Sequence, residues 1–266
     1  KKNIILMNFQ FDFTSIHRVY NWKKKFYFCN DDFTERAPSL RKKKILRDYE
    51  KKVSGGMDKC FAVSDFLVEN IKEYNENTDL FLPGHSFDLD YSLLHSKIES
   101  GGVVNVGYMG YINDRLRVDW LSAVDKQIGL KLHLIGPNEN DQKYSNSYFE
   151  NSVFTGSLVD KELQKYLCSL DVLVMPYVDR EATATQAPNK LFLYIASLKP
   201  VVTSPMPNLI PMPEGCIYTA GNPNEFIEKI WLACEENSNE LIQKRLEVAK
   251  ENQWSIRKKQ VVEEIC

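Results

Sequence analysis

Short apolar runs alternate with longer segments of helical periodicity along almost the whole chain. The runs at residues 26–29, 60–63, 80–82, 103–109, 132–135, 153–155, 172–175 and 201–203 read as strands, and residues 4–7 have the same character. Apolar runs this short suit buried strands, whereas the intervening segments have the length of helices. Strand–helix–strand alternation calls for a parallel sheet with helices on both faces. Right-handed crossovers then make doubly wound, Rossmann-like units the expected α/β fold. The polar, Gly-ended stretch 96–102 reads as a linker, dividing a first domain (1–95) from a second (96–252). From about residue 237 the chain reads as helical and charged, with Trp254 as its one large anchor. The first domain is short for this architecture and the chain opens Lys1-Lys2-Asn3 without Met. An upstream segment carrying further strands is therefore expected, leaving the first domain incomplete here.

Composition narrows the class. The 266 residues, 43% hydrophobic and 26% charged, have the size and balance of one large or two small globular domains. No run of about 18 apolar residues suggests a transmembrane helix, and no signal peptide opens the chain. The six cysteines include no Cys-x-x-Cys pair, and no Cys/His spacing suits zinc. Cys60 and Cys168 sit in apolar runs, where a thiol behaves as a small hydrophobe, so a reducing cytoplasm and no metal site are expected.

The net charge of −2 is unevenly spread: residues 1–60 hold 15 Lys/Arg against 7 Asp/Glu, and the remainder 19 against 29. The basic clusters are Lys23-Lys24-Lys25, Arg41-Lys42-Lys43-Lys44 and Lys51-Lys52, with Trp22, Phe26, Tyr27 and Phe28 beside the first. A basic, aromatic-edged face can meet anionic lipid head groups, which would make the protein peripheral on the inner face of the cytoplasmic membrane. It equally reads as a solvated helix face. Nucleic acid fits the charge, but no nucleic-acid motif accompanies it, and none is expected as a partner.

Two stretches carry candidate chemistry. The first, Val104-Asn105-Val106-Gly107-Tyr108-Met109-Gly110-Tyr111-Ile112-Asn113-Asp114, reads as a strand and a glycine turn. A helix is expected to follow from about Arg115, capped by Asn113 or Asp114, with Leu116, Trp120, Val124 and Ile128 as its buried stripe. Gly110 lets the backbone approach a ligand, and a helix start suits a diphosphate, with Arg115 near enough in sequence to help. The second runs from Asp171 through Met175-Pro176-Tyr177 and a polar loop to Pro188-Asn189-Lys190-Leu191-Phe192-Leu193-Tyr194-Ile195-Ala196, then Lys199-Pro200-Val201-Val202-Thr203. Pro188 fits a first helical position. Leu191, Tyr194, Ile195 and Leu198 face the core, and Lys190, Leu193 and Ser197 share another face. A cation in the first helical turn opposes the helix dipole by about 0.3–1 kcal/mol. Lys190 is therefore either an exposed residue or one with an anion beside it.

The pattern Pro-x-Lys-x-x-x-Tyr-x-Ala-x-x-Lys-Pro-Val-Val resembles the C-terminal donor-site motif of GT-B-fold glycosyltransferases of the bacterial group 1 type. Further stretches are similar in order and spacing. They include Phe61-Ala62-Val63-Ser64-Asp65-Phe66-Leu67, Leu82-Pro83-Gly84, Val106-Gly107-Tyr108-Met109-Gly110, Leu134-Ile135-Gly136-Pro137, Phe154-Thr155-Gly156-Ser157 and Asn252-Gln253-Trp254-Ser255. The resemblance covers nearly the whole chain. It implies a GT-B-like pair of Rossmann-like domains with parallel sheets, and a closing helix at 253–266 that crosses back to the first.

The resemblance also implies roles. Lys190 would contact the diphosphate of a UDP-sugar donor, with backbone donors from the Gly110 loop and the Pro188-Asn189 helix start. Gly156, Ser157 and Leu158 would lie by the base. Thr183 and Thr185 would reach phosphate or sugar hydroxyls. No cofactor beyond the donor substrate is implied, and no metal. The acceptor would be a glycan or a lipid-linked glycan in polysaccharide biosynthesis. An inverting reaction needs a general base. Asp31 and Asp32, following a strand, are the candidates, with a turn or cap as the structural alternative. One departure stands out: where many relatives carry Glu-x7-Glu, this chain has Thr185 and Leu193. Some relatives, including furanosyl-transferring ones, also lack the second Glu. The departure keeps open a non-catalytic sugar- or partner-binding module. A nucleotide-sugar 2-epimerase of the same fold is the other alternative, and it would need an acidic and His cluster that the sequence does not display.

Overall fold

The structure, a computed structural model, describes residues 3–35, 37–89, 101–137, 148–178, 189–207 and 209–265. They fall into two compact units, one within Lys1–Pro83 and Arg257–Cys266, the other within Gly84–Asp179 and Pro188–Ile256.

The first unit is built on a four-stranded parallel sheet, β1 (Ile5–Asn8), β2 (Lys24–Cys29), β3 (Lys59–Ala62) and β4 (Thr78–Leu80), paired in sequence order. Side chains alternate across it, as strand geometry requires. Tyr27, Cys29, Cys60 and Ala62 point to one face, where Val53 of α1 (Leu40–Ser54) and Leu67, Val68 and Ile71 of α2 (Asp65–Lys72) cover them. Ser39 and Ser64 cap these two helices, accepting from the amides of Lys42 and Leu67. Phe26, Phe28 and Phe61 point to the other face and pack on Val261 and Ile265 of the last helix, Trp254–Ile265. That helix is also tied polar-wise: Lys59, nearly buried, bridges Asp79 and Glu264, and Gln260 donates to the Leu80 carbonyl at 2.9 Å. Trp254, expected to anchor the C-terminal segment, is 44% exposed. It lies at the first turn, so the burial falls to Val261 instead.

The second unit carries six parallel strands in the order β10-β9-β8-β5-β6-β7. They are β5 (Val104–Met109), β6 (Leu130–Ile135), β7 (Val153–Gly156), β8 (Val172–Met175), β9 (Val201–Thr203) and β10 (Ile217–Thr219). One face packs on α3 (Val118–Lys126) and α6 (Pro223–Glu235) through Trp120, Leu121, Val124, Phe226 and Ile230. The other packs on α4 (Asp160–Ser169), α5 (Asn189–Ala196) and α7 (Asn239–Glu251) through Leu167, Leu191, Tyr194, Ile195 and Leu246. The chain moves outward through β5, β6 and β7, then returns to lay β8 on the other side of β5. The carboxyl edge between β5 and β8 is therefore a topological switch point, where open α/β sheets bind ligands.

Several expectations are corrected. Helix α3 begins at Val118, not near Arg115, because residues 115–117 are spent on pairing. The Arg117 amide donates to Pro176 O, the Val178 amide donates to Arg115 O, and Leu116 bridges Tyr177. Asn113 caps this turn, accepting from the Arg115 amide at 3.1 Å, rather than the helix. Ile128 lies beyond the end of α3 and is 91% exposed, while Leu121 takes its place in the core. Strand β10 was not foreseen, and β4 starts two residues earlier than its apolar run. Arg245 of α7 is fully buried, donating to Leu198 O (2.9 Å), Gly215 O (2.7 Å) and the Asn237 side chain. The five described cysteines are all free. Among the described residues no helix is long and apolar enough to cross a membrane.

Candidate functional site

Three neighbouring strands of the second unit end in a glycine with positive φ: Gly110 after β5 (+134°), Gly136 after β6 (+135°) and Gly156 closing β7 (+71°). Only glycine adopts such angles without strain. The Gly110 amide donates to Ile135 O at 2.7 Å and the Gly136 amide to Gly156 O at 2.8 Å. The three turns are thus laced side by side along the carboxyl edge. A Cβ on Gly136 would stand 2.7 Å from the Gly110 carbonyl oxygen, whereas one on Gly156 would meet nothing within 4 Å. The edge from β5 to β7 is a bare backbone shelf.

Lys190 stands at the switch-point end of this shelf. It lies in the first turn of α5, whose apolar face (Leu191, Tyr194, Ile195) is buried. Its ammonium donates to Tyr108 Oη at 3.1 Å and Tyr177 Oη at 3.0 Å, and lies 4.9 and 5.5 Å from their ring centroids. A Cβ on Gly110 would be 2.1 Å from Lys190 Nζ, so the absent side chain is what lets the ammonium sit there. Tyr108 is 1% exposed and passes its own hydrogen to Tyr111 O at 3.0 Å. Burial, then the neighbouring Tyr177 and Tyr194, push its phenol well above the ordinary tyrosine range, so it is a neutral acceptor. Tyr194 of α5 locks the same strand end, accepting from the Met109 amide at 2.7 Å.

The residues singled out from the sequence are distributed as follows. Gly110 and Lys190 are in contact, Asn189 begins α5 beside Lys190, and Gly156 ends the same shelf. Ser157 is exposed, while Leu158 and Leu193 pack partly buried against one core cluster. Arg115 is held by its backbone in the 115–178 pairing. Thr183, Thr185 and Pro188 lie outside the described residues. In the first unit, Asp32 follows β2, is 7% exposed, and accepts from the amide (2.8 Å) and hydroxyl (2.7 Å) of Thr34, which is turn geometry. It lines a cavity of about 100 Å³ with Arg47, Glu50 and Glu73. Burial and then the charge of Asp32 raise Glu50 to about 7, partly offset by bonds from Cys29 and Tyr27. Asp31 adjoins it after β2. Reasoning from sequence missed Tyr108, Tyr177 and Gly136 as site residues. The repeated strand-then-glycine ending was the available signal for Gly136.

The sequence profile of the family described as Glycosyl transferases group 1 matches residues 102–236, half of the chain and all six strands of the second unit. The chain is 23% identical to TuaH of Bacillus subtilis (strain 168), named as a teichuronic acid biosynthesis glycosyltransferase, over 94% of this chain and 68% of that one. Among solved structures, Anabaena HepE in complex with UDP and glucose aligns with a TM-score of 0.68 at 13% identity, over 91% of this chain and 71% of that one. A Rickettsia africae glycosyltransferase gives 0.68 at 13% identity, over 98% and 75%. At such identities the structural likeness speaks for the fold, which is GT-B.

Proposed function

The chain belongs to the group 1 glycosyl transferases, and from that premise we propose that it moves a sugar from a UDP-sugar donor to a glycan or lipid-linked acceptor in polysaccharide biosynthesis. The observation that carries the donor half is the Lys190 ammonium lodged over Gly110 at the switch point. A cation beside a glycine turn, with the backbone shelf of Gly110, Gly136 and Gly156 adjoining, suits a nucleoside diphosphate. Lys190 and the amide-rich start of α5 at Asn189 stabilise the charge that develops on the departing diphosphate, without a metal ion. The open face at Gly156, with Ser157 and Leu158, takes the base through main-chain groups. Arg115, Thr183, Thr185 and Pro188 complete the donor surface. HepE, solved with UDP and with UDP-glucose, supports uridine as the base, and the TuaH relationship supports a surface polysaccharide as the product.

The acceptor belongs to the first unit in this reading, with Asp31 or Asp32 as the general base. Residues 1–60 carry the basic surplus, and a cavity of about 550 Å³ there is lined by His17, Arg18, Lys51 and Lys52 among others. Together with Arg41, Lys42 and Lys44, exposed on α1, these groups make a cytoplasmic enzyme peripheral on an anionic membrane, next to a lipid-linked acceptor. Lys25, Lys43 and Lys52 contribute less, being paired with Asp58 at 3.3 Å, Glu35 at 2.6 Å and Asp48 at 3.6 Å. Leu193 favours a second reading. It is a partly buried core contact at the position where many relatives place a ribose-binding Glu, and it would suit a binding module without catalysis. A thermal-shift screen of nucleotides and nucleotide sugars separates the two, because a bound ligand stabilises by mass action. The transferase reading expects UDP and one UDP-sugar to raise the melting temperature. No response to any nucleotide would overturn it.

A further inference from the structure

A lysine that serves a phosphate carries a cost into binding. Its ammonium is strongly hydrated and sits on a flexible four-carbon stem. Left free, it must be desolvated and ordered when the ligand binds. A carboxylate partner would order it but also neutralise it, and would compete with the phosphate for its hydrogens. Among the described residues no carboxylate pairs with Lys190, and the ammonium is held by two tyrosine hydroxyls instead.

We propose that Tyr108 and Tyr177 are positioning residues for Lys190, holding its ammonium over Gly110, ordered but not paired with a counter-charge among the described residues, before a diphosphate arrives. The inference rests on the donor-site reading above and deepens it. Both hydroxyl oxygens accept from Nζ, and both ring faces lie within the 6 Å over which an aromatic quadrupole attracts a cation. Neither interaction cancels the charge. Both tyrosines are themselves fixed. Tyr108 lies within β5, buried, with its hydroxyl donating to Tyr111 O. Tyr177 follows β8 and is pinned through its backbone: its carbonyl accepts from Arg117 Nε at 3.2 Å and Ser204 Oγ at 2.7 Å, and its amide donates to Met175 O at 3.0 Å. The two strands that supply them are the pair flanking the switch point, so the fold itself brings both phenols to the ammonium. Pre-ordering of this kind raises affinity by removing costs that would otherwise fall on binding.

The test is calorimetric titration of UDP, uridine and inorganic pyrophosphate into wild type, Tyr177→Phe, Tyr108→Phe, Lys190→Ala and the Tyr177→Phe/Lys190→Ala double variant. Melting temperatures of each variant check that the fold persists. Phenylalanine keeps the ring and removes the acceptor. A bond to a charged group is involved, so Tyr177→Phe should weaken UDP and pyrophosphate by roughly tenfold and leave uridine unchanged. Combined with Lys190→Ala, the same substitution should change UDP affinity by less than about twofold, because a positioning residue acts only through the group it positions. Tyr108→Phe should follow the same pattern, and it covers the case in which Tyr177→Phe unfolds. Unchanged UDP affinity in both phenylalanine variants overturns this inference alone, as does an equal loss with Lys190 already removed. Tyrosine-dependent binding of pyrophosphate without any of UDP overturns the uridine donor and leaves the positioning role standing. A wild type that binds neither overturns both.

Discussion

The glycine shelf permits a sharp comparison between two substitutions that look alike in sequence, Gly136→Ala and Gly156→Ala. At Gly136 the new Cβ would lie 2.7 Å from the Gly110 carbonyl oxygen, 3.0 Å from its carbon and 3.2 Å from its nitrogen. These are backbone atoms, and the Gly110 amide is itself held by Ile135 O, so the neighbour cannot swing away as a side chain could. The φ of +135° adds strain of roughly 1–3 kcal/mol, and the overlap adds about 1–3 kcal/mol. The total expected loss is therefore about 2–6 kcal/mol. At Gly156 the φ of +71° costs alanine about 1–2 kcal/mol, and no atom lies within 4 Å of the new methyl. Urea unfolding of both variants should give Gly136→Ala the larger loss, by about 2–3 kcal/mol at the midpoints of these ranges. Nucleotide titration should show Gly156→Ala folded but weakened toward UDP, since its methyl stands where the base is placed. Equal stabilities would refute the steric argument, and unchanged UDP affinity in Gly156→Ala would remove that glycine from the site.

Further outcomes follow from the electrostatics. Glu50 is raised to about 7 by burial, so the folded state keeps a proton that the unfolded chain releases from about 4.5 upward. Its contribution is present below that pH and lost through about 7, worth roughly 3 kcal/mol at most. The difference in urea unfolding between wild type and Glu50→Gln across pH 4–8 should show this slope, with Glu50→Gln the more stable protein at pH 8. His133, buried between Tyr166 Oη (2.8 Å) and Asn105 Oδ1 (3.0 Å), is lowered by burial and then by Lys131 to about 4. Here the unfolded state takes the proton first, so the His133 contribution should fall as pH drops from about 6.5 to 4, opposing that of Glu50, and the difference between wild type and His133→Gln in the same assay should isolate it. Sedimentation with anionic vesicles should show binding that weakens steeply with salt, because surface charge is screened over about 10 Å at 0.1 M. Reversing Arg41, Lys42 and Lys44 to Glu should abolish it, and equal binding to neutral vesicles would contradict the membrane reading.

Much of the sheet was legible because its strands are buried on both faces and so appear as unbroken apolar runs. Phe26, Val106, Leu134 and Val174 all lie in such runs and are all buried. Strand β10 escaped notice because none of its three residues, at the edge of the sheet, is buried. Arg245 escaped because nothing local marks it. Its acceptors at Leu198, Gly215 and Asn237 are gathered by the fold from outside its own helix. In the candidate site, Gly110 and Lys190 were legible from turn and helix-start chemistry, and their contact follows from the strand order. Tyr108 and Tyr177 read as core aromatics, which their rings largely are. That their hydroxyls meet on one ammonium depends on β8 lying beside β5, a pairing no local pattern encodes. The start of α3 was misplaced for the same kind of reason, since the pairing of 115–117 with 176–178 is long-range.

The central claim is that Lys190 and the shelf beside it bind the diphosphate of a uridine nucleotide. Isothermal titration of UDP into the wild-type chain and Lys190→Ala tests it most directly. A charge-assisted contact is worth about 1.5–3 kcal/mol, so the account predicts measurable UDP binding by the wild type and a loss of roughly ten- to a hundredfold in the variant. No binding by the wild type, or equal affinity in the two proteins, would contradict it.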